Sequence, residues 1–236
     1  MFSSVNLSAL CLLCAAGSAQ AILFQGSASG SWIDPNTTEN VVVDNNDMNG
    51  AATIRWGEAF FVDDTPSQFS FNGQGSDGDA GWMATLATPF LIGDFTYQNS
   101  VTLTQDTEFT GVDLSISLSI SNPIGLTQLS TFDFNVTNTP NLTGDDVLDG
   151  DIVTVVNSTS PESFSYLGND YVLQLLGFSS DNGTTIRNDF SSPENGIAQA
   201  GIFAEITTLG AVVPEPSSFA LLAMGLIGLF RLSKKA

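Results

Sequence analysis

From residue 112 the chain reads Val112-Asp113-Leu114-Ser115-Ile116-Ser117-Leu118-Ser119-Ile120-Ser121. Every second side chain is apolar, and the side chains between them are aspartate or serine. Because successive side chains of a β-strand point to opposite faces of a sheet, this alternation is typical of a strand with one buried and one wet face. Residues 132–137 repeat the pattern. The two stretches indicate a sheet that covers an apolar core.

Further runs rich in β-branched and aromatic residues are separated by Gly, Asn, Asp, Ser and Pro, as expected for strands and turns. They cover residues 22–33, 51–56, 69–71, 90–97, 152–156, 164–166, 171–178 and 202–207. No segment between them shows a convincing period of 3.6 residues, which would indicate an amphipathic helix. We therefore predict an all-β domain over residues 22–211, built as an antiparallel β-sandwich or a jelly roll.

Acidic residues dominate the charge of this domain. The chain of 236 residues has 25 Asp and Glu, five Lys and Arg, and no His. All but one of the acidic residues, but only Arg55 and Arg187 among the basic ones, lie in residues 22–211, which carry a net charge of −22. Such a surface repels nucleic acid and anionic lipid, so we exclude nucleic acid as a partner.

The N-terminus has the layout of a secretory signal peptide. An apolar run over residues 5–17 precedes Ala19-Gln20-Ala21, which forms a small-x-small cleavage site. We predict export by the Sec machinery and cleavage after Ala21, so that residues 1–21 are removed. A buried N-terminal element is the alternative.

Residues 212–236 combine a helix breaker, a short apolar helix and a basic tip. Pro214-Glu215-Pro216 precedes the apolar run 219–230, and Arg231, Lys234 and Lys235 follow it. As a helix the run measures about 18 Å, against about 30 Å for the hydrocarbon core of a membrane. Positive residues beside a membrane helix mark the cytoplasmic side. We predict a transient membrane helix with a cytoplasmic stop at the three basic residues, and a permanent tail anchor is the alternative.

This order of parts resembles the PEP-CTERM sorting signal of Gram-negative bacteria. The resemblance implies that Pro214, Glu215 and Pro216 are recognised, that the helix holds the exported protein briefly in the membrane, and that the membrane protease exosortase processes it. It also implies a place at the cell surface or in the extracellular matrix, in association with the exopolysaccharide of a biofilm.

The domain itself resembles the THxN family of PEP-CTERM proteins, also described as the choice-of-anchor K domain. The segments that carry the resemblance within residues 50–208 are Trp56-Gly57, 90–99, the strand from Val112, 132–141, 151–153 and 171–178. The family's Thr-His-x-Asn motif is Thr96-Tyr97-Gln98-Asn99 here, so tyrosine replaces the only ring that would titrate near neutral pH. The family implies an exported β domain of undefined activity.

The composition restricts the chemistry of the domain to carboxylates. Cys11 and Cys14 lie in the predicted signal peptide, and residues 22–211 contain no Cys, His or Lys. Disulfides, Ser-His-Asp and Cys-His catalysis, Schiff bases and zinc sites are therefore excluded. A glycoside hydrolase needs two carboxyl groups in a cleft with separated pKa values, whereas neighbours such as Asp63 and Asp64 occupy turn-like segments. We predict a non-enzymatic protein, and a carboxylate-dependent glycoside hydrolase is an alternative.

Calcium is the one metal that the composition favours, because it takes carboxylate and carbonyl oxygens. The richest loop supplies Asp145, Asp149 and Asp151 as candidate ligands, although it matches the EF-hand template only in part. We expect Asx-rich turns in a domain without any cofactor, and a structural calcium ion is the alternative.

Aromatic residues suggest a second binding function, because apolar rings pack on the C–H faces of sugars. We expect these rings to pack in the core, and the alternative is an exposed platform that would make the domain a carbohydrate-binding module. The candidates are Trp32, Trp56, Trp82, Tyr97, Tyr166 and Tyr171.

Overall fold

A computed structural model describes residues 22–46, 51–58, 65–76, 78, 80–102, 109–158 and 162–209. Within these ranges the chain forms thirteen strands and no helix. No segment of these ranges is therefore a helix that could span a membrane. The strands are β1 Leu23–Ile33, β2 Val41–Asp44, β3 Ala51–Trp56, β4 Ser67–Gly73, β5 Trp82–Thr85, β6 Phe90–Gln98, β7 Gly111–Asn122, β8 Leu126–Thr137, β9 Asp151–Ser158, β10 Glu162–Tyr166, β11 Asn169–Ser179, β12 Asp189–Ser192 and β13 Ile197–Thr208.

The strands pair antiparallel in two sheets that share one core. Sheet 1 has the order β12-β9-β8-β7-β1-β5, and sheet 2 has the order β10-β11-β13-β6-β4-β3-β2. Every named pairing is antiparallel, which confirms the prediction of an antiparallel all-β domain. The face-to-face arrangement is that of a β-sandwich.

Aromatic rings from both sheets fill the space between them. Phe69 on β4 is fully buried and packs against Trp32 on β1 and Phe134 on β8, at ring-centroid distances of 5.6 and 6.4 Å. Phe95 on β6 lies 5.6 Å from Phe134. The apolar side chains of the alternating stretch on β7 are buried in the same core, as the sequence predicts. Rings of this size bury a large apolar area, which holds the two sheets together.

Three strands were not expected from the sequence, and all three lie at sheet edges. They are β2, β5 and β12, each of four residues. In β2, Val42 and Val43 are exposed and no residue is buried, so the alternation of a buried strand is missing. β5 does alternate buried and exposed side chains, but a pattern of four residues is too short to mark a strand.

Both ends of the described domain lie at the same end of the sandwich. β1 begins at Leu23, which lies opposite Thr85 on β5. Two residues further along the chain, the backbone amide of Ala87 donates to the carbonyl of Ile206, close to the end of β13. The other end of β13 pairs with Gln98. With a rise of about 3.3 Å per residue, the two ends of β13 are about 35 Å apart.

Phe71 on β4 fits into the core because two neighbouring positions lack a side chain. A Cβ atom at Gly30 on β1 would lie 2.3 Å from Cδ1 of Phe71, and one at Gly93 on β6 would lie 2.5 Å from its ring. Both distances are shorter than any tolerated contact, and the fully buried ring has no free space to move into. Glycine is therefore required here for close approach of the two sheets.

We predict that Gly30→Ala destabilises the domain by about 1–3 kcal/mol, the usual cost of overpacking a filled core. Gly125→Ala is the matched control, because a Cβ atom there meets nothing within 4 Å. Urea denaturation followed by tryptophan fluorescence measures both changes. Equal stability of the two variants would contradict the packing described for Phe71.

Candidate functional site

The predicted sorting residues lie outside the described residues. They are Ala19, Ala21, Pro214, Glu215, Pro216, Arg231, Lys234 and Lys235, together with the predicted apolar helix 219–230. The described residues of the candidate site belong to the β-sandwich.

The three candidate calcium ligands serve separate backbone groups. Asp149 accepts hydrogen bonds from the amides of Thr143 and Gly144, at 3.1 and 2.9 Å. Asp145 and Asp151 each accept from other backbone amides. Within the described part of the chain, no three Asp, Glu, His or Cys side chains are grouped so that they could hold a metal ion. The structure therefore does not bring the predicted ligand set together, and Asx-type hydrogen bonds shape this connection between β8 and β9.

The candidate aromatic rings pack in the core, as expected, and do not form the alternative, an exposed platform. At most 4 % of the surface of the five buried rings is exposed, and the sixth, Tyr166, is half-buried against the same core. The alternation of the strands turns these large apolar side chains inward, where burial stabilises them most. The five buried rings are Trp32, Trp56, Trp82, Tyr97 and Tyr171.

A polar cleft opens at the end of the sandwich opposite the chain ends. Strand ends and connections from both sheets line it, and its volume is about 680 Å³. Among the described residues that line it, most side chains are uncharged hydrogen-bonding groups and two are carboxylates. The lining includes Trp56, Asn99, Pro140, Asn141, Asp151 and Glu194.

Tyr97 on β6 links the two sheets below this cleft. Its hydroxyl donates a hydrogen bond of 2.9 Å to Oδ2 of Asp151, the first residue of β9. The other oxygen of Asp151, Oδ1, accepts from the amide of Thr139 at 2.8 Å. The Asp151 carboxylate is therefore fixed by one donor from sheet 2 and one from the connection that follows β8.

Asn99 holds the second carboxylate of the cleft. It follows β6 directly, is almost completely buried, and donates through Nδ2 to Oε2 of Glu194 at 3.2 Å. The backbone amide of Asn99 donates to the carbonyl of Gly196, and the hydroxyl of Ser192 donates to the carbonyl of Tyr97. These bonds attach the turn between β12 and β13 to the end of β6, which places Glu194 opposite Asp151.

Burial raises the pKa of each ionisable group in this network. For Asp151 burial outweighs the hydrogen bonds from Thr139 and Tyr97, which act in the opposite direction. For Glu194 burial and the charge of Asp151 raise the pKa, against the amides of Asn141 and Asn99. The pKa of Tyr97 is raised by burial and then by Asp151, so its hydroxyl stays protonated and donates.

The sequence identified part of this site. Tyr97 and Asn99 occupy positions two and four of the motif Thr96-Tyr97-Gln98-Asn99, and Asp151 was named as a calcium ligand. Glu194 was missed, because it lies in the turn-like stretch Pro193-Glu194-Asn195-Gly196, where an acidic residue is expected to be solvated. The pairing of β12 with β9 and of β13 with β6 brings the turn that holds Glu194 to the other site residues.

Asp151→Asn and Asp181→Asn should change the pH dependence of stability in opposite directions. The pKa of Asp151 is raised in the folded state, so its stabilising contribution is present below about pH 3.9 and is lost as the pH rises through the folded value. The pKa of Asp181 is lowered to about 2, mainly by hydrogen bonds from Thr185 and Ser179. Its contribution is present above about pH 3.9 and is lost as the pH falls towards 2.

The measurement is the difference in Tm between each variant and the parent protein at pH 3, 5 and 7. Asp151→Asn should become relatively more stable as the pH rises, whereas Asp181→Asn should become relatively less stable. Parallel trends would contradict the assignment of the two environments.

Residues 212–235 match the family model of the PEP-CTERM protein-sorting motif. A comparison with curated proteins finds no match. The motif confirms the predicted sorting signal: the chain is an exported surface protein that is anchored at the membrane, processed by exosortase and released. The match leaves the β-sandwich uncovered, so the role of the polar cleft is a separate question.

Proposed function

We propose that the β-sandwich is the working part of a non-enzymatic surface or matrix protein that associates with the exopolysaccharide of a Gram-negative biofilm. The observation that carries the proposal is the sorting motif at residues 212–235, which directs the chain to the compartment where that polymer lies. In this scheme the signal peptide 1–21 leads the chain to the Sec machinery, and the helix 219–230 holds it in the membrane until exosortase acts.

The resemblance of residues 50–208 to the THxN family, or choice-of-anchor K domain, supports the same role. That family consists of exported β domains with PEP-CTERM signals. The motif positions Tyr97 and Asn99 help to form the polar cleft of this chain. We therefore assign the surface-associated role to the cleft end of the domain.

Two oriented carboxylates give the cleft acceptors for a bound ligand. Burial raises the pKa values of both Asp151 and Glu194. Hydrogen bonds from Tyr97 and Thr139 hold the first carboxylate, and Asn99 holds the second. In this proposal the two groups act as ligand acceptors in a non-enzymatic protein.

The charge of the domain limits the kind of polymer with which it associates. With a net charge of −22 over residues 22–211, the domain repels uronate-, sulfate- and phosphate-rich polymers. Association with a neutral polysaccharide carries no such penalty. We therefore propose a polymer, or a polymer region, without anionic groups.

The triple variant P214A/E215A/P216A should remain unprocessed and membrane-held, because exosortase would lack the recognised motif. Fractionation of cells, matrix and medium, followed by intact-mass measurement, tests this. The parent protein should be recovered from matrix or medium without residues 1–21 and without its C-terminal tail. Release of the triple variant at the same mass would overturn the sorting proposal.

The matched control is S217A/S218A, which changes the residues next to the motif without changing Pro or Glu. It should be processed like the parent protein. The matrix role is tested separately, because digestion of the exopolysaccharide should move the processed protein from the matrix to the medium. If the processed protein stayed in the matrix fraction after the polymer had been digested, an association with exopolysaccharide would be contradicted.

A further inference from the structure

The geometry points to the polar cleft as a binding site for one or two neutral sugar residues. This inference deepens the proposed function, on which it rests for the source of the glycan. It names a site, the cleft between Asn99, Asp151 and Glu194, and a ligand class, uncharged hydroxyl-rich sugars.

The size of the cleft fits this class of ligand. Small-molecule sites in proteins have volumes of about 300–1,000 Å³, and the cleft has about 680 Å³. It is open to solvent along one side, where the exposed residues Asn138, Pro140 and Asn141 form the rim. Because the rim is open, a sugar residue in the middle of a polysaccharide can enter the cleft, and no free chain end is needed.

The hydrogen-bonding groups of the cleft suit hydroxyl groups, which both donate and accept. Asp151 and Glu194 offer charged acceptors, and bonds to such acceptors are stronger than bonds between neutral groups. Asn141 and Thr110 offer side chains that donate as well as accept. Because Tyr97, Thr139 and Asn99 already hold the carboxylates, these acceptors are oriented before a ligand arrives.

The rim of the cleft has an apolar part that can contact the C–H face of a sugar ring. Pro140 supplies this apolar side chain, and it is exposed. Trp56 borders the cleft but is 4 % exposed and stacks on Phe109 at a ring-centroid distance of 4.3 Å, so its ring belongs to the core. A sugar is amphipathic in the same way, with hydroxyl groups around its edge and C–H groups on its faces.

Charge excludes anionic ligands from this cleft. Both ionisable groups in its described lining are acidic, and the two arginines of the domain, Arg55 and Arg187, do not line it. A uronate or phosphate group would therefore meet two carboxylates without a compensating cation.

The geometry also disfavours a metal ion as the ligand. The Asp151 carboxylate accepts from Tyr97 and Thr139, and the Glu194 carboxylate accepts from Asn99, so both are engaged by protein donors. No group of three possible ligands occurs among the described residues. Each carboxylate oxygen has two lone pairs, and the bonds from protein donors use one of them. A sugar hydroxyl can donate to the other.

The test is titration calorimetry with the processed protein purified from the producing bacterium. The neutral probes are cellotriose, laminaritriose, maltotriose and mannotriose, and the comparison probes are trigalacturonate, chitosan trimer and calcium chloride. We expect saturable binding of at least one neutral trisaccharide and no binding of trigalacturonate. Saturable binding of the comparison probes alone, or no binding of any neutral probe, would overturn the inference.

Variants then locate the site. Glu194→Gln should weaken binding of the neutral probe about ten-fold or more, since a hydrogen bond to a charged acceptor is lost. Asn141→Ala removes an exposed rim side chain whose amide also donates to Glu194, and it should weaken binding about three-fold or more. The Tm of this variant is measured beside its affinity to show that the domain stays folded. The matched controls are Glu205→Gln on β13 and Asn169→Ala at the start of β11, both outside the cleft lining, and they should bind like the parent protein.

Equal affinity of Asn141→Ala, Glu194→Gln and the controls would show that any binding occurs elsewhere and would overturn the assignment to the cleft. The outcome is separable from the proposed function. A protein that binds a neutral trisaccharide in the cleft but never reaches the matrix would contradict the proposed function alone. A processed matrix protein without affinity for neutral sugars would contradict the inference alone.

Discussion

The hydrogen bond from the Tyr97 hydroxyl to Asp151 determines where the polar cleft forms. It joins β6 of sheet 2 to β9 of sheet 1, at the point where both strands reach the end of the sandwich. Asp151 in turn holds Thr139 and the connection that supplies Asn141. Histidine is the side chain whose unperturbed pKa, about 6.5, lies nearest to neutral pH, whereas the buried phenol of Tyr97 stays protonated. Tyrosine therefore keeps the link intact across the pH range in which histidine would change its charge.

The fold could be predicted where side chains alternate over a long stretch. β7 was recognised from Val112 to Ser121 because one face of it packs in the core between the sheets, so that apolar and polar side chains alternate along its length. β2, β5 and β12 were missed, because an edge strand of four residues has one neighbour and shows too short a pattern. The pairing order of the sheets depends on contacts between residues far apart in sequence, which periodicity does not encode.

The site could be predicted less well than the fold, for a different physical reason. The sequence marks residue types, but the role of a carboxylate depends on its donors. Asp149 was grouped with Asp145 and Asp151 by spacing, yet hydrogen bonds from Thr143 and Gly144 outweigh its burial and lower its pKa, whereas burial raises that of Asp151. The buried rings were ambiguous in the same way, because a tryptophan packs equally well in a core or under a sugar.

The position of the polar cleft relative to the sorting segment suits a surface role. β13 begins beside the cleft and ends at Thr208, and the chain continues from there towards the motif at residues 212–235. The strand separates the two ends of the domain by about 35 Å. Charges are screened over about 8 Å at physiological ionic strength. The cleft therefore lies several screening lengths from Thr208, so a charge near the end of β13 does not alter the electrostatics of the cleft.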